Sequence, residues 1–322
     1  MRILLAQPRG FCAGVEMAVA ALDRALELYG TPLYAFHQIV HNTFVIADFR
    51  SRGVVFVEEI GDVPPRATVV FSAHGVSPAV RAEAAARQLR VVDATCPLVT
   101  KVHSEAKRFA RDGYTIVLVA HAGHDEAVGV TGEAPGQVRI VETTADVEAL
   151  AIPDESRVAY LTQTTLSVDD TRRVVEALQR RFPHIQGPPR EDICYATQNR
   201  QAAVRALALE TDMILVVGSD NSSNSRRLVE VAESCGVRAR RVDGPDELRL
   251  EWFDGVETLG VTSGASVPEP LLRSVLTWLQ AYFGGNVVQR SIMSETVHFL
   301  LPGPVRPRTP HPVHEPSPAP AG

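Results

Sequence analysis

No stretch of this 322-residue chain is apolar for long enough to cross a membrane. The longest apolar runs have the length of strands, such as TIVLVA at 115–120, against the roughly 18 residues a span needs. MRILLAQPRG at the N-terminus carries only a short apolar stretch before Gln7 and Pro8, and reads as a first strand rather than a leader. Cysteine is scarce: Cys12, Cys96, Cys194 and Cys235 stand far apart. The absence of any CxxC pair argues against a zinc ribbon or a thioredoxin-type site. No GxGxxG fingerprint for a nicotinamide cofactor is present. Nor is there an excess of positive charge. A formal net charge of −6 gives no reason to expect nucleic acid or an anionic membrane surface as a partner. A cytoplasmic location with reduced thiols is the expectation.

What is present is a core-forming composition, 45% hydrophobic, on a chain long enough for two or three modest domains. It also shows a weak threefold repeat. Cys12 is followed by apolar residues at helical spacing (Val15, Ala18, Val19, Leu22, Ala25, Leu26), a strand at 32–36, and a polar loop ending at His41. Cys96 opens a similar helix, then a buried strand at 114–120 and a loop with His124 and Glu126. Cys194 opens a third, with a helix over 197–210, a strand at 213–218 and the loop SDNSSNS at 219–225. The interval from Cys12 to His41 is nearly that from Cys96 to His124 and from Cys194 to Ser222. Later strands end at His74, Thr164 and Ser266 in the three units. Alternating buried strands and helices predict three small α/β domains with mostly parallel sheets, whose strand-end loops form the ligand crevice. The divisions are 1–95, 96–191, and 192–301 with a C-terminal return strand. The proline-rich stretch 302–322 is expected to be a disordered tail, with His311 and His314 as solvated bystanders.

Each unit would bring one thiolate and two polar loops to a common centre. Three lone cysteines suit a metal centre that locks domains together. Structural zinc usually takes its ligands in close pairs, and a [4Fe-4S] cluster normally takes four cysteines; with three, one iron stays open to substrate. Cys235, ending the helix LVEVAESCG, reads as an inert thiol. GSDNSSNS before a helix expected over 226–234, TSGAS at 262–266 before a helix starting near Pro268, and AHGVSP with Ser77 as cap and Pro78 at the first helical position each place donors at a helix N-terminus. Singly, each is an ordinary capped turn; three facing one centre point to an anion. His41, His74 and His124 lie in these loops, and Glu126 near a dry metal pocket is a candidate proton donor. His-x-Glu also occurs in zinc deaminases, but neither Cys96 nor Cys194 has a second cysteine three residues on.

RGFCAGV (9–15), HQIVHN (37–42), SAHGVSP (72–78), DATCPLV (93–99), AGHDE (122–126), TQTTLS (162–167), CYATQNRQ (194–201), GSDNSSNS (218–225) and TSGASVP (262–268) resemble, in the same order, the motifs of the 4-hydroxy-3-methylbut-2-enyl diphosphate reductase family, also called LytB. The resemblance covers about residues 1–301. It implies a trefoil of three α/β domains around one [4Fe-4S] cluster held by Cys12, Cys96 and Cys194. It implies a diphosphate held among His41, His74, His124, Ser222, Ser223, Asn224 and Ser266, Thr164 touching the substrate hydroxyl, and Glu126 feeding protons. The implied reaction is the last step of the methylerythritol phosphate pathway: two electrons and two protons remove an allylic hydroxyl, giving isopentenyl and dimethylallyl diphosphates. A ferredoxin or flavodoxin is the implied electron donor, with NADPH acting only through that carrier.

The chain departs from the family pattern at Asp125, where a proline is expected, and in AVGVTGEA, where a run like EGTxGQ is expected. Two rival functions remain at this level: a non-redox hydro-lyase that uses an open iron as Lewis acid, and a metal-free protein that binds phosphorylated ligands.

Overall fold

The computed structural model describes residues 1–307. Along the chain run β1 (Arg2–Gln7), α1 (Ala13–Tyr29), β2 (Leu33–Phe36), α2 (Thr43–Ser51), β3 (Val54–Val57), β4 (Thr68–Phe71), α3 (Pro78–Ala86) and β5 (Arg90–Asp93). The middle third holds α4 (Pro97–Arg111), β6 (Thr115–Val119), α5 (Asp125–Glu133), β7 (Val138–Val141), α6 (Thr144–Ala149), β8 (Val158–Thr162) and α7 (Val168–Arg181). The last third holds α8 (Tyr195–Ala208), β9 (Met213–Val217), α9 (Ser223–Ser234), β10 (Arg238–Val242), β11 (Thr258–Ser263), α10 (Glu269–Phe283) and β12 (Val287–Ser291).

Three separate sheets form, in the orders β3-β2-β4-β5, β7-β6-β8 and β10-β9-β11-β1-β12. Every strand pair is parallel. Parallel strands need helical crossovers and are covered on both faces, which explains their apolar runs. In β1, Ile3 and Leu5 join a core with Val275 and Leu279 of α10, while Leu4 and Ala6 join Val204 and Leu207 of α8. That is the period-2 alternation of a strand with a helix layer on each side.

One feature differs from the division at residues 1–95. β1 lies inside the third sheet, between β11 and β12. Its four central residues are between 0% and 7% exposed, covered at both edges by β11 and β12 and on the two faces by α10 and α8. α1 then crosses to the first sheet, where Ala18, Leu22 and Ala25 pack with Leu33, Ala35 and Val70. The same crossing recurs. α4 leaves β5 of the first sheet and packs its Val102, Ala106 and Phe109 on Ile116 and Leu118 of the second. Gln186 bridges to Ala159 beside β8, and α8 then packs Ala203, Val204 and Leu207 on Ile214 of the third. Each of Cys12, Cys96 and Cys194 therefore caps a helix at the junction between one sheet and the next.

Two further expectations change. α9 begins at Ser223 rather than at 226, because the Ser222 hydroxyl accepts from the Ser225 N–H at 3.3 Å and caps it there. The stretch after 301 is structured as far as residue 307: Gly303–Val305 form a short 3₁₀ turn, Val305 is fully buried against the first unit, and Tyr29 donates to the Pro304 carbonyl at 3.1 Å. Residues 308–322, with His311 and His314, lie outside the described residues.

Candidate active site

The loops at the carboxyl ends of β1, β2, β4, β5, β6, β8, β9 and β11 meet around one cavity with about 740 Å³ of empty volume. Its walls include Cys12, Cys96, Cys194, His41, His74, His124, Glu126, Thr164, Ser222, Ser223, Asn224 and Ser266, which together are the full set of site residues expected from the sequence. Cys235 stands apart from it, exposed at the end of α9.

Each thiol is fixed by the same device. The backbone N–H of Cys12 bonds to the Ala265 carbonyl at 3.2 Å, that of Cys96 to Ala73 at 3.0 Å, and that of Cys194 to Thr164 at 3.0 Å. Every cysteine is thus tied to a strand-end loop carrying another site residue. The helix that follows aims its free amides at the sulfur, as in the 3.4 Å contact from the Thr197 N–H to Cys194 Sγ. Burial raises the Cys12 pKa and pushes Cys96 up to about 12 and Cys194 up to about 11, with neighbouring thiols adding to both of the latter. Without a cation the thiols are therefore protonated; a metal centre would hold them as thiolates and release their protons.

The spacing of the sulfurs limits what they can hold. A Cβ built on Gly14 would lie 2.6 Å from Cys96 Sγ and 4.0 Å from Cys12 Sγ, so these two thiols flank one point on α1. Yet the three sulfurs do not all lie within 4.8 Å of one another. Two sulfurs on one zinc can stand no more than about 4.6 Å apart. Such a spread suits a larger centre of soft, sulfur-binding metal better than a single tetrahedral ion.

Glu126 reaches the cavity from the first turn of α5 and is 5% exposed. Its carboxylate accepts the Thr164 N–H at 3.0 Å and the Thr164 hydroxyl at 2.9 Å. Burial raises its pKa, against the lowering effect of those bonds. His124 caps the same helix, its Nδ1 accepting the Glu126 N–H at 3.2 Å, so in the neutral ring the proton sits on Nε2. His41 and His74 stack with ring centroids 3.9 Å apart, and His124 meets both edge-on. Burial holds His41 and His124 down to about 4 and His74 well below the usual range. These are neutral donors until an anion arrives.

The serine and asparagine residues are 3% to 6% exposed and bind the units to one another. Asn224 accepts from the Ala265 N–H at 2.9 Å, Ser266 donates to the His41 carbonyl at 2.9 Å, and Ser223 donates to the Thr165 carbonyl at 3.4 Å. Ser222, Ser223 and Asn224 form the N-terminus of α9, where unpaired amides favour an anion.

Sequence reasoning missed four contributors. His37 places Nδ1 2.9 Å from Asp125 Oδ1 and Nε2 3.1 Å from the Glu58 carbonyl. Both partners are acceptors, so only the imidazolium satisfies both, and the bond to Asp125 raises its pKa. Asp125 is correspondingly held far below the usual carboxylate range by that bond and the surrounding histidines, against the effect of burial. Arg200, fully buried, binds Glu295 at 3.0 Å and the Gly10 carbonyl at 2.7 Å, and so ties the C-terminal segment to the Cys12 loop. Phe299 of that segment lines the cavity. His37, Asp125 and Arg200 lie in motifs legible in the sequence (HQIVHN, AGHDE and CYATQNRQ), but their roles depend on partners distant along the chain, and Phe299 has no such signal.

Among known families, the model described as LytB protein matches residues 3–280. The chain is 56% identical over 308 residues to the 4-hydroxy-3-methylbut-2-enyl diphosphate reductase of Mycolicibacterium vanbaalenii, covering 95% of this chain and 91% of that protein. It is 52% identical over 306 residues to the enzyme of the same name from Rhodopirellula baltica, covering 95% and 96%. The solved structure of the E-1-hydroxy-2-methyl-but-2-enyl-4-diphosphate reductase from Plasmodium falciparum superimposes with a TM-score of 0.91 at 36% identity, over 94% of this chain and 96% of that one.

Proposed function

The chain belongs to the LytB family, and from that premise we infer that it is a metalloenzyme that reduces an allylic diphosphate. It removes the hydroxyl of 4-hydroxy-3-methylbut-2-enyl diphosphate to give isopentenyl and dimethylallyl diphosphates, the last step of the methylerythritol phosphate route. The C–O bond breaks, a C–H bond forms, two electrons and two protons are consumed, and water leaves.

We assign one [4Fe-4S] cluster to Cys12, Cys96 and Cys194. The observation that carries the assignment is the spread of three sulfurs around one cavity, better suited to a larger centre than to a single tetrahedral ion. Such a cluster, when bound, supplies the electrons and leaves one iron open to the substrate. The chain's own residues do the rest. His41, His74, His124, Ser222, Ser223, Asn224 and Ser266 hold the diphosphate, which orients the carbon chain toward the thiol side of the cavity. Thr164 orients Glu126 and faces the substrate hydroxyl. Burial raises the Glu126 pKa and so favours its acid form, which gives up a proton as the hydroxyl departs. Phe299, which lines the cavity, limits water there. Electrons come from a ferredoxin or flavodoxin, and the reducing cytoplasm suits an enzyme with free thiols.

The test is anaerobic purification, iron and sulfide analysis, and turnover of the allylic diphosphate with a reduced flavodoxin. About four irons and four sulfides per chain, with turnover that stops without reductant, support the reading. Zinc or no metal would overturn the cluster assignment, and turnover independent of reductant would mark a hydro-lyase instead.

A further inference from the structure

Asp125 divides its two carboxylate oxygens between different neighbours. Oδ1 takes the hydrogen bond from His37. Oδ2 stands 3.8 Å from His41 Nε2 and 3.7 Å from His74 Nδ1. Both distances exceed a hydrogen bond, and His74 Nδ1 has no partner although it is buried. These three ligand atoms, two imidazole nitrogens and one carboxylate oxygen, all lie within 4.8 Å of one another. Ligands around one tetrahedral ion with bonds of about 2.1 Å stand about 3.4 Å apart, so the two nitrogen–oxygen distances need shorten by only a few tenths of an ångström. The rings of His41 and His74 stack, and His37 fixes the carboxylate from behind as outer partners of metal ligands do.

We propose that His41, His74 and Asp125 form a site for a divalent transition-metal cation, separate from the three thiols, and that this cation excludes the diphosphate while bound. Two imidazoles favour Ni²⁺, Zn²⁺ or Co²⁺ over Mg²⁺ or Ca²⁺. The exclusion rests on the proposed diphosphate placement, because His41 and His74 serve both ligands; the cation site does not. An ion held here inhibits the enzyme by raising KM.

The experiment uses the cluster-loaded enzyme carrying Cys235→Ser, which removes the exposed thiol as a competing ligand. Anaerobic calorimetric titration with NiCl₂ should find one site per chain, weakened at least tenfold by Asp125→Asn and by His74→Gln, each checked for unchanged cluster absorbance. Equal affinity in wild type and both variants would overturn the site. In kinetics, micromolar Ni²⁺ should raise KM at constant kcat for the parent and have no such effect on Asp125→Asn. Complexation of substrate by the ion is the same for both proteins and drops out of the comparison. If calorimetry finds the site but KM does not rise, the cation site stands and the exclusion is overturned, a diphosphate oxygen then taking the position that three protein ligands leave open on the ion.

Discussion

Thr164 donates twice to Glu126, through its backbone N–H at 3.0 Å and through its hydroxyl at 2.9 Å, while its carbonyl accepts the N–H of Cys194. One residue thereby fixes the candidate acid relative to a candidate cluster ligand. Glu126→Gln should keep the iron content and lower turnover by about a hundredfold or more. Burial raises the Glu126 pKa, so the acid form persists above the usual carboxylate range and the rate should fall as pH rises through the raised value. The Thr164 bonds act the other way. Thr164→Val should move that alkaline limb upward, and Thr164→Ser should restore it, as read from pH profiles of kcat/KM.

Gly14 in the first turn of α1 stands against two of the thiols. Alanine is the better helix former by about 1 kcal/mol, yet its Cβ would sit 2.6 Å from Cys96 Sγ. Gly14→Ala should leave the far-ultraviolet circular dichroism unchanged and lose most of the bound iron. Full iron content in that variant would place the cluster elsewhere.

His41 and His124 are held down to about 4, by burial first. An unfolded histidine titrates near 6.5, so between these values the unfolded chain binds more protons than the folded one. Stability should therefore be lost as pH falls from 6.5 toward 4, on the order of 3 kcal/mol for each histidine. A bound diphosphate favours the imidazolium and raises these values. Inorganic diphosphate should bind with proton uptake, seen as a calorimetric enthalpy that varies with the buffer's ionisation enthalpy, and more tightly as pH falls from 7.5 to 6.

Glu295 neutralises a guanidinium that has no exposure to solvent. Glu295→Ala strands that charge, at a cost of about 3 kcal/mol by denaturant unfolding, and frees the segment that carries Phe299. The cluster should then bleach several-fold faster in air. Asn199 shares the Glu295 carboxylate at 3.0 Å without being charged, so Asn199→Ala should have a smaller effect on both measures.

The threefold alternation of helix and buried strand was legible because its signals are short-range. Apolar spacing marks α1, α4 and α8, Pro78 and Ser77 mark the start of α3, and the apolar runs of β6 and β9 mark strands covered on both faces. That these residues gather at one cavity was legible for a related reason: in parallel sheets, strand-end loops form the crevice, and those positions can be read one unit at a time.

By itself, then, the sequence determined three parallel α/β units, each presenting a cysteine and polar loops at one end, because periodicity and capping are settled within a few residues. Only the tertiary structure decided that β1 serves the third sheet, so that Cys12, Cys96 and Cys194 each sit at a junction between sheets. It alone paired Arg200 with Glu295, turned Asp125 toward His37, His41 and His74, and laid Phe299 over the cavity. These contacts join residues distant along the chain, and their energies come from burying charge and closing a shared cavity, neither of which leaves a local spacing to read.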